Sequence, residues 1–180
     1  NRLKISLNPT KEKLTHQDQS FEGLLNVSWL TGAIAKNLKV EYDMMLQATK
    51  TVFKGFSSYV FDDKSRILLS QRNLVFKGKL NAQGDATIKF DLGNNQSVPG
   101  ALNVLLFGKV YEEGGGFSIS KTQVPYYPFG SFVGLKAPDG DKRGMLLTDK
   151  KHKIQIATLD ANGKPLSKKN IKVSLYKLDW

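Results

Sequence analysis

The chain contains no cysteine and only two histidines, His16 and His152. Without cysteine there is no disulfide framework, no thiolate metal site, no cysteine nucleophile and no thioester within these residues, so the fold must hold by packing alone. A catalytic zinc site generally takes three His or Cys ligands with carboxylates assisting, and both histidines stand among polar neighbours, which reads as solvated surface imidazole. No long apolar run is present either; none approaches the roughly 18 residues of a membrane helix. Acidic groups are scarce, 16 against 27 lysines and arginines, which leaves a formal charge of +11 on 180 residues. What the chain does have, 40% hydrophobic and 10% aromatic residues, excludes disorder. It opens at Asn1-Arg2-Leu3, with neither an initiator Met nor an apolar signal segment, and stops on Trp180, as expected of a piece excised from a longer protein.

The hydrophobic period is two almost throughout, which a helix at 3.6 residues per turn cannot present as one face. Leu3, Ile5 and Leu7 alternate with polar residues, as do Leu25, Val27 and Trp29, then Leu38, Val40, Tyr42 and Met44, then Ala86, Ile88, Phe90 and Leu92, and later Ile154 and Ile156. Each such run is an antiparallel strand with one wet face. Thr15–Leu25 has room for a helical turn; Ala101–Tyr111 mixes helical spacing with alternation and reads as a buried strand, because Val104, Phe107 and Val110 favour a pleated surface. In the last segment Ile171, Val173 and Leu175 keep one phase and Tyr176, Leu178 and Trp180 the other, which predicts a bulge or a strand end near Leu175. Turn signals at Asn81–Asp85, Gly93–Asn95, Gly114–Gly116, Pro138–Asp141 and Asp160–Pro165 are spaced as in a sandwich.

Composition shifts at Val124-Pro125-Tyr126-Tyr127-Pro128-Phe129-Gly130, which reads as a stiffened linker. Residues 1–123 carry 16 basic and 11 acidic groups, net +5, whereas residues 124–180 carry 11 and 5, net +6. The expected organisation is all-β: an antiparallel immunoglobulin- or fibronectin-like sandwich over residues 1–123 and a second, partial sandwich over 124–180. Fifty-seven residues support about four strands, fewer than the roughly seven of a complete sandwich, so the second unit is truncated or pairs with the first. Tyr126, Tyr127 and Phe129 are the candidates for packing the two together. The alternative is an exposed platform on which these rings stack against sugars, as in a carbohydrate-binding or adhesion module.

Chemical motifs are fragmentary. Ser118-Ile119-Ser120-Lys121 matches Ser-x-x-Lys, where the lysine eases removal of the serine proton, yet Gln123 stands where Lys-Thr-Gly needs glycine and no Ser-Asp-Asn accompanies it. Asp139-Gly140-Asp141 and Asp62-Asp63 lack the spaced ligand series of a calcium loop and read as turn residues. The lysines at 150, 151, 153, 164, 168, 169 and 172 guard strand edges in the plainer reading. Binding of nucleic acid, anionic lipid or acidic polysaccharide is the other, and no aromatic motif or recognition helix accompanies the charge. No catalytic residue, metal, cofactor or nucleic-acid partner is expected.

The run Val27-Ser28-Trp29-Leu30-Thr31-Gly32-Ala33-Ile34-Ala35-Lys36-Asn37-Leu38-Lys39-Val40 resembles a segment of macroglobulin-like domains in the bacterial alpha-2-macroglobulin family. Phe132–Lys136, Arg143–Asp149, Leu159–Pro165 and Val173–Trp180 are similar to the start of the following domain of that family. The resemblance implies a piece of a large secreted or lipid-anchored periplasmic protein that traps proteases after they cut a bait segment. Its partners would be other domains of the same chain and, through the intact protein, proteases; the membrane would be reached only by a lipid anchor outside these residues. Family members with a thioester form it in a separate domain, and the bait has no identifiable counterpart here.

Overall fold

The computed structural model describes residues 2–95, 97–141, 143–167 and 170–176, and every regular element in them is a strand. Alternation converts into strands as expected: β1 (Leu3–Pro9), β3 (Ser20–Trp29), β4 (Lys39–Ala48) and β6 (Asp85–Asp91) each bury one face. The ambiguous stretch after Ala101 is β7 (Leu102–Tyr111). Between Thr15 and Leu25 there is no helical turn. Asp18 instead accepts from the Thr15 amide at 2.7 Å, closing a tight turn after the two-residue β2 (Leu14–Thr15), and β3 starts at Ser20.

Three sheets result. β1, β3 and β6 form one, in that order, all antiparallel. The second runs β2, β8 (Phe117–Tyr127), β7, β4, β5 (Arg72–Lys79), antiparallel except where β2 joins Tyr126 and Tyr127 in parallel. The third pairs β9 (Phe132–Lys136) with β10 (Gln155–Leu159). The first two sheets face each other across the main core, which is centred on fully buried Tyr42, Phe90, Ile88, Val40 and Leu106, with Tyr42 edge-on to Phe90 at 6.2 Å. Each of these side chains contributes about 1.5–3 kcal/mol by leaving water. Trp29 is half-buried and packs against the rim of this core, with the Arg2 guanidinium 6.0 Å above its ring, whereas Val40 sits at the centre.

Tyr42 needs a gap in β7 to fit. A Cβ at Gly108 would lie 2.3 Å from the tyrosine ring, so glycine there lets the phenol cross under β7 and meet the Ser120 hydroxyl on β8 at 3.0 Å. Register slips once, between Tyr42 and Asp43 in the β4–β5 ladder, where β5 carries one extra residue and Val75 turns in toward the core.

Two expectations change on the C-terminal side. Ile154 and Ile156 do not face inward: the β9–β10 register sets Leu159 opposite Phe132 and Ala157 opposite Gly134, so the odd positions of β10 take the buried face and Ile156 is turned out. Residues 170–176 form no strand, and Leu175 is exposed. Leu178 and Trp180, which carried the other phase of that run, lie outside the described residues, as do Lys168 and Lys169.

Among the described residues one buried side-chain polar atom is stranded. The Ser118 hydroxyl, wholly buried opposite Val110, has no hydrogen-bond partner, a loss of about 1–3 kcal/mol. Ser118→Ala is therefore expected to stabilise the chain by about 1 kcal/mol, read as a higher urea midpoint with unchanged m-value. A lower midpoint contradicts an unbonded hydroxyl.

Candidate functional site

The segment between β4 and β5, residues 49–71, has no hydrophobic period and forms no strand. It is fixed instead by polar bonds. The Asp62 carboxylate accepts from the Thr51 amide at 3.0 Å and from the Thr51 hydroxyl at 2.5 Å, and that hydroxyl in turn accepts from the Ala101 amide at 2.7 Å. Asp63 donates its amide to the Pro99 carbonyl at 2.7 Å. The segment is thus tied to the start of β7, and a side chain at Gly100 would fall within 2.4 Å of both Asp62 and Thr51.

So anchored, the segment presents four aromatic rings to β9 and β10. Phe53 is the hub, 4.9 Å from Phe61, 5.4 Å from Tyr127 and 5.4 Å from Phe132 between centroids. Phe56 and Tyr59 extend the cluster, and Phe129 meets Phe132 at 5.6 Å. Each edge-to-face or tilted pair adds about 0.5–1.5 kcal/mol beyond burial. Phe61 lies on the backbone of Gly134, where a Cβ would approach its ring to 2.4 Å. Backbone bonds seal the contact: Val60 and Leu135 exchange amide-to-carbonyl bonds of 2.8 and 2.9 Å, making residue 60 a one-residue third strand beside β9.

The three rings singled out in the sequence separate according to strand alternation. Tyr126 points into the main core and is 4% exposed; Tyr127, on the opposite face of β8, joins the aromatic cluster and donates its hydroxyl to the Val52 carbonyl at 3.0 Å. Phe129 touches both cores. Burial raises the ionisation of both phenols above the ordinary tyrosine value, for Tyr127 with help from the Asp62 charge. Sequence reasoning missed Phe53, Phe56, Tyr59 and Phe61. Their signal was present, four rings within nine residues of a stretch with no period of its own.

A second tie crosses from the N-terminal side. Lys13 lays its ammonium 4.1 Å over the Tyr127 ring and donates it to the Ala161 carbonyl. Burial pulls its ionisation below the ordinary lysine value, and nearby Asp160 works against that pull. Asp160 organises the turn after β10, accepting from the Asn162 and Lys164 amides at 2.8 and 2.9 Å; chiefly through the Lys164 amide, its carboxyl is held below the usual carboxylate value.

The remaining motif residues lie elsewhere. Ser118 faces the core while Lys121, three positions on, faces outward, so the amine cannot reach the hydroxyl. His16 sits beneath Gly130, and His152, in the stretch between β9 and β10, bonds the Leu147 carbonyl at 2.7 Å. Asp141 accepts from the amides of Arg143 and Met145, and Asp63 from that of Ser65, all as turn acceptors. Lys150, Lys151 and Lys153 are exposed in the stretch leading into β10, and Lys164 lies in the turn after it.

Residues 1–130 match the family model described as the bacterial alpha-2-macroglobulin MG5 domain. An alpha-2-macroglobulin homolog of Yersinia pestis is 28% identical over 175 residues, 97% of this chain but 8% of that protein. Among solved structures, Escherichia coli alpha-2-macroglobulin in its native conformation superposes with a TM-score of 0.64 at 19% identity, over 91% of this chain and 11% of that one. The same protein activated by porcine elastase gives 0.67 at 18% identity, over 91% and 14%. The chain thus spans about a tenth of the length of these relatives.

Two outcomes are expected from this geometry. Phe53→Ala empties the hub of the cluster, a loss of about 3–5 kcal/mol, and hydrogen exchange should quicken in β9 and β10 far more than in β3 or β7. Equal acceleration everywhere contradicts a separate second core. The ionised Asp160 stabilises the fold above its ordinary value of 3.8, and that contribution disappears as pH falls through its depressed folded value. Asp160→Asn keeps an acceptor without a charge, so the melting difference between it and the parent sequence should be greatest near neutral pH and close below about pH 4.

Proposed function

Because this chain belongs to the bacterial alpha-2-macroglobulin MG5 domain family, we propose that it is a structural and interaction module of a protease-trapping protein, without catalysis of its own. The observation that carries this reading is the aromatic cluster: a rigid, sealed contact between a complete sandwich and a second β unit, of the kind that passes movement from one domain to the next. Relatives described as trypsin-activated and elastase-activated support a protease as the trigger in the parent protein. Its setting is the periplasm or the cell surface, with any lipid anchor carried by other parts of the parent.

The domain boundary is proposed to lie in the connection between β8 and β9, residues 128–131. β8 runs unbroken from Phe117 through Tyr127, with Pro125 inside it opposite Asn103. The second unit has a two-stranded sheet whose outer face exposes Val133, Leu135 and Ile156. Two strands alone are marginal in water, so further strands of the parent chain are proposed to complete this sandwich. The sugar-stacking alternative loses its platform, since Tyr126 is in the main core and Tyr127 is packed among rings.

The test uses the parent protein and trypsin. The parent should protect a large protein substrate from trypsin while leaving hydrolysis of a small peptide substrate intact, and Phe129→Ala should leave bait cleavage unchanged but lose most of that protection. A parent that leaves both substrates equally exposed overturns the reading.

A further inference from the structure

The two outer faces of the main sandwich differ in kind. On the three-stranded sheet the outward positions are polar, including Lys4, Glu22, Asn26, Thr87 and Lys89, with Leu24 the large apolar exception. The five-stranded sheet is different. Its register lays Lys77, Glu41, Lys109 and Ile119 side by side in one row, and Leu74, Asp43, Phe107 and Lys121 in the next. Tyr111 and Phe117 form a third row, their rings 5.9 Å apart. Phe117, Ile119 and Leu74 are each more than half exposed, at 54%, 58% and 55%.

The charges on this face are not interchangeable. Glu41 is matched by Lys39 at 3.1 Å and Lys77 at 3.7 Å, and accepts from the Tyr111 hydroxyl at 2.6 Å; Asp43 is matched by Arg72 at 2.8 Å. Lys109 and Lys121 have no carboxylate partner among the described residues and rest over Phe117 and Phe107, at 5.6 and 5.7 Å. The face therefore presents two uncompensated ammonium groups, held in place by rings, beside exposed Phe117 and Ile119.

We propose that this face, centred on Lys109, Lys121, Phe117 and Ile119, docks an acidic, aliphatic-rich protein surface belonging to another domain of the parent chain. This rests on the reading of the chain as one module of a much longer protein, more than nine-tenths of which lies outside it in the curated relative. Exposed aromatic side chains are enriched in protein interfaces, and two lysines on the same face with no carboxylate partner among the described residues call for carboxylates opposite. Nucleic acid fits poorly. Arg72 and Lys39 already cover the Phe107 and Tyr111 rings, at 4.1 and 4.6 Å, which removes stacking platforms, and Glu41 and Asp43 stand in the middle of the face. An anionic membrane fits poorly too, because exposed Glu113 occupies the hairpin tip that leads into Phe117, while its neighbour Glu112 is buried against Arg2.

The absence of cysteine from these 180 residues makes the test clean. Ile119→Cys and, as control on the opposite outer face, Leu24→Cys (the native leucine is 52% exposed) are placed singly in the parent protein, and maleimide labelling of each new cysteine is followed by peptide mass. Ile119→Cys should label at least tenfold more slowly than Leu24→Cys. It should regain the control rate in high salt or when Lys109→Glu and Lys121→Glu are added. Equal rates in the unaltered parent overturn the proposal. So does protection indifferent to salt and charge reversal, or protection that arises only when DNA or phosphatidylglycerol vesicles are supplied. None of these rates depends on whether the parent captures a protease, so failure of the trapping reading shows separately in the trypsin assay.

Discussion

Asp62 does for this molecule what a disulfide does in other small β units. A buried hydroxyl and a carboxylate satisfy each other and two backbone amides at once, and the segment they pin has no period of its own with which to form a strand. The clamp ties the segment to the start of β7 and, with the Asp63 bond to Pro99 and the Tyr127 bond to Val52, sets Phe53 and Phe61 at their height above the sandwich. The β9–β10 sheet depends on them in turn. With two hydrogen-bonded strands and one bridging residue on either side, Val60 beside β9 and Pro165 beside β10, this sheet gains too little from pairing alone to outweigh the roughly 1–2 kcal/mol of backbone entropy lost per ordered residue. Ring packing makes up the deficit, so order in the β9–β10 sheet is borrowed from the irregular segment 49–71.

This dependence explains what could be read in advance. Strands whose one face is buried by the opposite sheet write their period into the sequence, and β1, β3, β4 and β6 were legible from Leu3, Val27, Val40 and Ile88 and their neighbours. Even β7, with Leu105 breaking the alternation, was legible through its β-branched and aromatic residues. The aromatic contact was only half visible. Tyr127 and Phe129 stood out beside prolines, but their partners Phe53 and Phe61 sit eight residues apart in a loop whose geometry comes from side-chain hydrogen bonds, and such bonds leave no periodic trace. The phase of β10 failed for a related reason. Ile154 and Ile156 are the larger side chains, yet the buried face went to Ala157, opposite Gly134 where the Phe61 ring leaves little room, and to Leu159, opposite Phe132 in the aromatic cluster.

β8 joins these regions. Its even positions enter the main core, its odd positions build the basic and aromatic outer face, and its last two residues divide between the main core and the aromatic cluster. One strand thus touches the sandwich interior, the proposed docking face and the contact with the second unit. A load applied at any one of them is felt along a single hydrogen-bonded ladder, against β7 over ten residue pairs.

Phe129 decides what kind of coupling that is. A flexible linker would allow the units to reorient at little cost, but the connection spans only residues 128–131 and its one large side chain is packed against both cores at once. Rotating the units withdraws this ring from one core or the other. Full exposure of a phenylalanine side chain costs about 1.5–3 kcal/mol, and that loss would be joined by the breaking of the Val60–Leu135 bonds and the Lys13 contact with Ala161. Small displacements are resisted because packed cores do not deform continuously, whereas a displacement large enough to repack Phe129 proceeds to a new arrangement. A joint that resists small displacements and yields only by repacking Phe129 is the mechanical property the proposed role in a trap requires.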